Sequence, residues 1–245
     1  MNGLSHQVLH AKKMIEEGKD FKPIFGMEAY FIPSISEWRE EYERVKAEKK
    51  TKKSDSEVSG ATVEDEAASK RAVKSVLNRR RHLVLLAQNQ KGLENLFLLV
   101  SNSYKPENFY RYPRVDYELL NKYSEGIIAA SACLGGVYAG NYWANRDEGE
   151  EAVLNAMRET TKKMVSIFGD RWYGELQWNN VPEQHDLNQY IIKMHEEFGI
   201  PLISTADSHY PNRDAWKDRE LYKRLGWLGK GRPEWASDGE LPSRS

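Results

Sequence analysis

The sequence predicts an α/β fold in which strands and helices alternate around a mainly parallel sheet or barrel. Three observations lead to this prediction. Short apolar or aromatic runs recur along the chain, bounded by turn residues. Most of them are followed by a stretch with apolar residues at helical spacing. A length of 245 residues, of which 40% are hydrophobic, is enough for one sizeable core.

Five runs are predicted as strands on their β-branched and aromatic content. The third run ends in small residues and the pair Gly135–Gly136, which allow the backbone to approach a ligand closely. The predicted strands occupy residues 22–32, 82–89, 126–136, 171–178 and 200–205.

Six stretches are predicted as helices on their apolar spacing. Gly18 is a stop signal behind the first of them, and the fourth carries acids early and lysines late, as the helix dipole favours. The predicted helices occupy residues 5–17, 91–104, 112–124, 147–170, 181–199 and 210–229.

A segment dense in Glu, Lys and Arg interrupts this alternation between the first two strands. Its first third has helical character, residues 53–62 indicate a flexible linker, and residues 63–79 indicate a second helix. The last residues of the chain show no pattern. The domain boundaries that follow are 1–33 and 82–229 for the main fold, 34–81 for a charged helical insertion and 230–245 for a tail or linker.

Composition excludes several classes of protein. The formal net charge is −1, so a nucleic-acid-binding surface would have to be local. The single cysteine, Cys133, excludes an internal disulfide and fits a reducing compartment. No apolar run approaches the roughly 20 residues of a membrane span, and the first residues lack a signal-peptide core. We therefore expect a cytoplasmic protein without a membrane partner.

The stretch ISTADSHYP, residues 203–211, places polar side chains at the end of the last predicted strand. Residues two apart in a strand share a face, so Asp207 and His209 are expected to point the same way. The carboxyl ends of strands are where α/β folds place their chemistry. The alternative is a capped turn in which Asp207 or Ser208 caps the next helix and His209 only packs.

Three further side chains lie at strand ends or edges. Glu28 follows Gly26 in the first strand, His82 opens the second, and Cys133 follows the third. Carboxylate, imidazole and thiolate hold borderline metals such as zinc or manganese, and residues from different strands can converge on one rim of a barrel. The alternative is that Glu28 is an ordinary strand-edge acid and Cys133 a small buried hydrophobic residue.

Five blocks of the sequence together resemble the PHP (polymerase and histidinol phosphatase) domain. The version they resemble is found at the amino end of bacterial and phage DNA polymerase III alpha subunits. The resemblance implies a distorted (β/α)7 barrel with up to three metal ions at one rim. The blocks are KPIFGMEAYFIP, RRHLVLLAQNQKGLENLFLLVS, IIAASACLGG, GELQWNNVPEQHDLN and GIPLISTADSHY.

The resemblance also assigns roles to five residues. The family's Gly-x-Glu motif matches GME, which makes Glu28 a metal-bridging carboxylate. His82, Cys133, Asp207 and His209 match further ligands of divalent zinc or manganese ions. Glu28, Asp207 and His209 are the residues that the resemblance implies for catalysis of phosphoester hydrolysis.

Two family motifs have no counterpart in the sequence. These are a His-x-His on the first strand and a Thr-Asp-His on the second, so the resemblance implies a barrel that lacks its first two strands. About half of the usual ligand set is missing with them. We therefore expect the isolated chain to have little or no hydrolase activity.

The leading interpretation is the PHP-domain portion of a replicative DNA polymerase III alpha subunit. Its own role would be metal-dependent 3′–5′ exonuclease activity or scaffolding. Its partners would be DNA, the remainder of the polymerase chain and other replisome subunits. The alternatives are a free-standing phosphoesterase acting on a small ester such as histidinol phosphate, and an interaction module without metal. The arginines at 79–81 could contact DNA phosphates or form a solvated face.

Overall fold

The computed structural model describes residues 4–59 and 78–228. Five strands of this part form one sheet in the order β1-β2-β5-β6-β7, and two short strands form a separate hairpin. The strands are β1 (Gly26–Phe31), β2 (Arg81–Ala87), β3 (Phe109–Tyr110), β4 (Tyr112–Pro113), β5 (Ile127–Ala130), β6 (Trp172–Gln177) and β7 (Leu202–Thr205).

The sheet is mixed and open. β2 is antiparallel to both β1 and β5, whereas β5, β6 and β7 run parallel to one another. The prediction of an α/β fold is confirmed, but the prediction of a mainly parallel sheet is wrong for β1 and β2. Among the described residues β1 and β7 are the two edges, and the sheet does not close on itself. This is consistent with a partial PHP barrel.

Helices accompany the strands along the chain. They are α1 (Leu4–Glu16), α2 (Ile35–Ser59), α3 (Gln90–Ser103), α4 (Tyr117–Lys122), α5 (Val137–Asn145), α6 (Glu150–Phe168), α7 (Pro182–Phe198) and α8 (Trp216–Leu228). The sequence analysis missed α5, whose Gly and Asn residues weaken its helical pattern. Tyr138 and Ala139 of this helix are buried in the core. None of the described helices is long and apolar enough to span a membrane.

One face of the sheet forms the core. Leu83, Leu85, Ile127 and Ala129 are fully buried on it, as is Trp172. These residues form one hydrophobic cluster with buried residues of α3, α5, α6 and α7. Because side chains alternate along each strand, the residues between these buried ones must point to the opposite face of the sheet.

The opposite face carries polar and partly exposed side chains. In the register of β1 and β2, Glu28 lies opposite Val84 and Tyr30 opposite His82, so all four share this face. The pairing of β5 with β6 and the alternation along β6 bring Glu175 to the same face. The predicted site residues of the first two strands therefore lie away from the hydrophobic core.

The charged segment 34–81 is helical where the structure describes it. α2 extends through Ser59, so the linker predicted at 53–62 is wrong for residues 53–59. Ile35 and Trp38 at the start of α2 are buried together with Ile32, which docks this helix onto the main fold. The second predicted helix, apart from its last two residues, and the predicted tail lie outside the described residues.

Candidate functional site

The mixed sheet explains why site residues occur at different ends of their strands. Because β2 is antiparallel to its neighbours, its amino end lies at the same edge as the carboxyl ends of β1, β5, β6 and β7. His82 at the start of β2 therefore meets the turn that follows β5. A backbone hydrogen bond from His82 N to Gly135 O, 2.9 Å long, joins the two.

Glu28 and His82 contact each other across β1 and β2. They lie on a diagonal of the antiparallel pair, and Nδ1 of His82 is 3.0 Å from Oε1 of Glu28. Both side chains are partly exposed, with 30% of His82 and 49% of Glu28 accessible. The Tyr30 ring stands beside the imidazole, with the ring centres 5.5 Å apart. The contact is thus accessible to solvent.

Cys133 completes this contact group. Its Sγ lies 3.5 Å from Nδ1 of His82 and accepts a hydrogen bond of 3.4 Å from Gly135 N. The turn is tightly folded, because a Cβ on Gly136 would lie 2.1 Å from Ser131 O. A Cβ on Gly135 would lie 3.2 Å from Nδ1 of His82. The paired glycines therefore let the turn approach the imidazole, and we call Glu28, His82 and Cys133 the contact triad.

The contact triad favours a protonated imidazole. Contact with Cys133, followed by the hydrogen bond to Glu28, raises the pKa of His82 to about 10, against the opposing effect of partial burial. The hydrogen bond from His82 is the main cause that holds the pKa of Glu28 below its usual value, and the charge of His209 acts in the same direction. His209 thus lies close enough to Glu28 to influence it.

Asp207 and His209 lie in a turn and not in a strand. β7 ends at Thr205, and Asp207 has a positive φ of 45°. The argument that both side chains share one face of a strand is therefore wrong. His209 instead contacts the carbonyl oxygen of Asp207 through Nδ1, at 2.6 Å, and both residues are exposed. The capped-turn alternative fails as well, since Asn212 caps the following helical turn with its side chain.

The structure thus places His82 in contact with both Glu28 and Cys133, and the charge of His209 acts on the Glu28 carboxylate. In residues 4–59 and 78–228, no three His, Cys, Asp or Glu side chains are arranged so that they could hold one metal ion. The donor types nevertheless match those of zinc and manganese sites.

A buried polar cluster lies next to the contact triad, and the sequence analysis did not identify it. Glu175 is only 4% exposed. Its carboxylate accepts hydrogen bonds from Ala132 N at 3.1 Å, from Gln177 Nε2 at 3.1 Å and from the Thr205 hydroxyl. Its backbone N donates to Ser131 Oγ at 2.9 Å. The only sequence signal was an acid among apolar residues in a predicted strand.

The arginines at 79–81 are held by the protein and do not form a simple solvated face. Arg79 makes two hydrogen bonds to the carboxylate of Glu41. The guanidinium of Arg80 lies over two tyrosine rings, 5.0 Å from Tyr30 and 3.9 Å from Tyr112. Burial, followed by the charge of Arg79, lowers the pKa of Arg81.

The remaining histidines outside the site are exposed helix residues, as the sequence analysis favours. His6 and His10 lie on α1, and His185 and His195 lie on α7. His195 contacts the carbonyl oxygen of Ile200 at 2.7 Å, which ties the end of α7 to the next segment.

Comparison with known proteins identifies the family. A family model described as the PHP domain matches residues 2–179. The chain belongs to the PHP domain family. This PHP domain is 40% identical over 196 residues to the DNA polymerase III subunit alpha of Aquifex aeolicus. The corresponding subunits of Borreliella burgdorferi and Deinococcus radiodurans are 38% identical over 145 residues and 32% identical over 193 residues.

The coverage of these matches is unequal. They span 80%, 59% and 79% of this PHP domain chain, but only 14%, 12% and 12% of the three relatives. The chain therefore spans about one eighth of the length of the relatives that it matches. The resemblance to polymerase-type PHP domains is confirmed over most of the chain.

Proposed function

We propose that this chain is the PHP module of a replicative DNA polymerase alpha subunit. We further propose that the contact triad belongs to a metal-dependent phosphoester-hydrolysing site of the 3′–5′ exonuclease type. The observation that supports the second proposal most is the pair of contacts at Nδ1 of His82, 3.0 Å to Glu28 and 3.5 Å to Cys133. Similarity to polymerase alpha subunits supports the first.

The ligands of this site would be Glu28, His82 and Cys133, with Asp207 and His209 from the turn after β7. Because no three of the described side chains could hold one ion as they stand, metal binding would require these ligands to move closer together. A divalent ion held by them would polarise a phosphorus–oxygen bond and make hydroxide available near neutral pH. Glu28 is held as a carboxylate by the hydrogen bond from His82. Both Glu28 and His82 are partly exposed, which would let a phosphate ester reach them from solvent.

The protonation of His82 sets a cost for metal binding. A ligand imidazole must lose its proton at the coordinating nitrogen, and the pKa of His82 is raised to about 10. At pH 7 this competition with the proton lowers the apparent affinity of the site for a metal. We therefore expect low activity of the chain alone at neutral pH.

The rival proposal is a scaffold module without metal, and the same atoms support it. An imidazolium between a carboxylate and a thiol is a stable arrangement that needs no further cation. In this case the Glu28–His82 pair would tie β1 to β2, and the site would not hydrolyse phosphoesters.

Titration with cobalt(II) separates the two proposals, because a thiolate ligand gives cobalt a characteristic charge-transfer absorption. We expect the chain to bind cobalt with an affinity that rises about tenfold per pH unit above neutrality. C133S should lose the absorption, H82A should lose binding, and H185A, a matched exposed histidine, should change neither. Equal binding by all four proteins would overturn the metal site and leave the scaffold proposal.

The substrate is tested with the metal-loaded chain. Release of nucleotides from the 3′ end of a DNA oligonucleotide, lost in H82A, would support the exonuclease type. Release of phosphate from histidinol phosphate without action on DNA would favour the free-standing phosphoesterase. Metal binding without either reaction would contradict the hydrolytic proposal.

A further inference from the structure

We propose that Glu175 is the positioning residue of the candidate site. Its buried carboxylate fastens the turn after β5 to the end of β7 and thereby holds Cys133 against His82. This inference rests on the proposed function only in that Cys133 and His82 act together there. Glu175 itself lies in the middle of β6 and has no contact with the imidazole among its described hydrogen bonds.

The carboxylate of Glu175 bonds to neutral donors. Within the described part of the chain, no Lys, Arg or His side chain forms an ion pair with it. A buried charge without a counter-ion is costly unless several donors point at it. Ala132 N, Gln177 Nε2 and the Thr205 hydroxyl are those donors. An apolar side chain at this position would leave these three donors without their acceptor, so the carboxylate has a directional role.

The turn after β5 needs such an anchor. Ala132 has a positive φ of 62°, which an alanine adopts only against a steric cost. Its N–H donates to Oε2 of Glu175, while Ser131 Oγ accepts from Glu175 N. Two hydrogen bonds from one residue therefore fix the two positions that precede Cys133.

The second anchor is on β7. The Thr205 hydroxyl donates to Oε1 of Glu175, and Gln177 Nε2 reaches both Glu175 and Thr205. Thr205 is the last residue of β7 and precedes Asp207 by two positions. The side chain of Glu175 thus contacts both the turn that carries Cys133 and the strand that leads to Asp207 and His209.

The test compares two replacements of Glu175. E175M keeps the length of the side chain but leaves Ala132 N without an acceptor. E175Q keeps one oxygen that can accept from Ala132 N. The Thr205 hydroxyl can turn to accept from the new amide, and the Gln177 amide has to flip to present its oxygen, which costs its hydrogen bond from Asn179. E175Q should therefore rescue the position of Cys133 in large part.

T161V is the matched control for lost stability. The hydroxyl of Thr161 is fully buried on α6, where it contacts the hydroxyl of Tyr138 at 2.7 Å and donates to Met157 O. Its removal deletes buried hydrogen bonds without touching the site.

The readouts use the metal-free chain, so they are independent of the metal proposal. Cys133 is the only cysteine, and its alkylation by iodoacetamide under native conditions can be followed by mass. We expect alkylation in E175M to be roughly 10- to 100-fold faster, as the loss of one charge-assisted hydrogen bond implies. T161V and E175Q should stay within about threefold of the original chain. The nuclear Overhauser contact between Cys133 and the His82 ring should disappear in E175M alone.

A rate in E175M equal to that of T161V at matched thermal stability would overturn the proposal. If E175M does not fold, T205V removes the hydroxyl that links the same carboxylate to β7. T205V should then accelerate alkylation about tenfold, and an unchanged rate would again overturn the proposal.

Discussion

The two sides of the candidate site differ in how firmly the fold holds them. Glu28, His82 and Cys133 stand on β1, β2 and the turn after β5, where the neighbouring Leu83 and Leu85 are fully buried. Asp207 and His209 stand in an exposed turn that leads to α8. On α8, large apolar side chains remain accessible, namely Leu221 at 51%, Leu225 at 69% and Tyr222 at 78%.

This difference has a physical consequence. The first side is fixed by core packing, so substitutions at the protein surface should leave its geometry unchanged. The second side is fixed by local caps and by the link from Thr205 to Glu175. Groups held in this way open locally at low free energy and adapt to a ligand. The site therefore combines a rigid half with an adaptable half.

The largest expected effect is on the rigid side. In G136A the new Cβ would meet Ser131 O at 2.1 Å, so the turn has to unfold or shift. We expect a loss of about 3 kcal/mol in the free energy of unfolding, measured with denaturant. G18A is the matched control, because Gly18 has a φ of +73° but open space around it. It should lose about 1 kcal/mol. A smaller loss in G136A than in G18A would contradict the rigidity of the turn.

Sequence reasoning predicted the residues of the rigid side from local patterns together with the resemblance to the PHP domain. Apolar runs predicted β1, β2 and β5, and the resemblance assigned ligand roles to Glu28, His82 and Cys133 near their ends. It did not give the antiparallel direction of β2, which depends on pairings between distant segments. Glu175 was missed for the same reason, because its partners Ser131 and Thr205 lie 44 and 30 residues away.

On the adaptable side, local reasoning predicted a strand where the backbone of Asp207 and His209 forms a turn. Period-two alternation applies only while a strand continues, and β7 ends two residues before Asp207. The positive φ of Asp207 is tolerated because Asp adopts the left-handed region more readily than most residues.

α5 was missed because tertiary burial, and not helix propensity, accounts for it.

A second, smaller effect tests the ion pair of the rigid side. Contact with Cys133, followed by the hydrogen bond to Glu28, raises the pKa of His82 from an ordinary value of 6.5 to about 10, so these two contacts stabilise the fold fully below pH 6.5. That contribution is lost as the pH rises through 10. The pKa of Glu28 is lowered, so the pH dependence of its contribution is reversed. The Glu28 carboxylate stabilises the fold above pH 4.5, and this stabilisation is lost as the pH falls.

The measurement is the free energy of unfolding of the original chain and of H82Q between pH 6.5 and 10. Because both side chains are partly exposed, we expect the difference to be about 1 kcal/mol at the lower pH. It should shrink towards zero at the upper pH. A difference that stays constant over this range would mean that His82 contributes by packing and not by its charge.

The smallest expected effect comes from replacing a helix-capping asparagine by alanine, once on the rigid side and once on the adaptable side. Asn89 caps α3 by accepting from Gly92 N at 2.9 Å, and Asn212 caps the helical turn before α8 by accepting from Asp214 N and Ala215 N. α3 belongs to the buried core, so N89A should lower the global free energy of unfolding by about 1 kcal/mol. N212A should lower it by about 0.3 kcal/mol or less, because the segment that it caps can open without unfolding the rest. Hydrogen exchange should instead show faster exchange confined to the residues after Asn212. An equal global loss in both variants would mean that the turn of Asp207 and His209 unfolds together with the core, and the adaptable half would then be as rigid as the first.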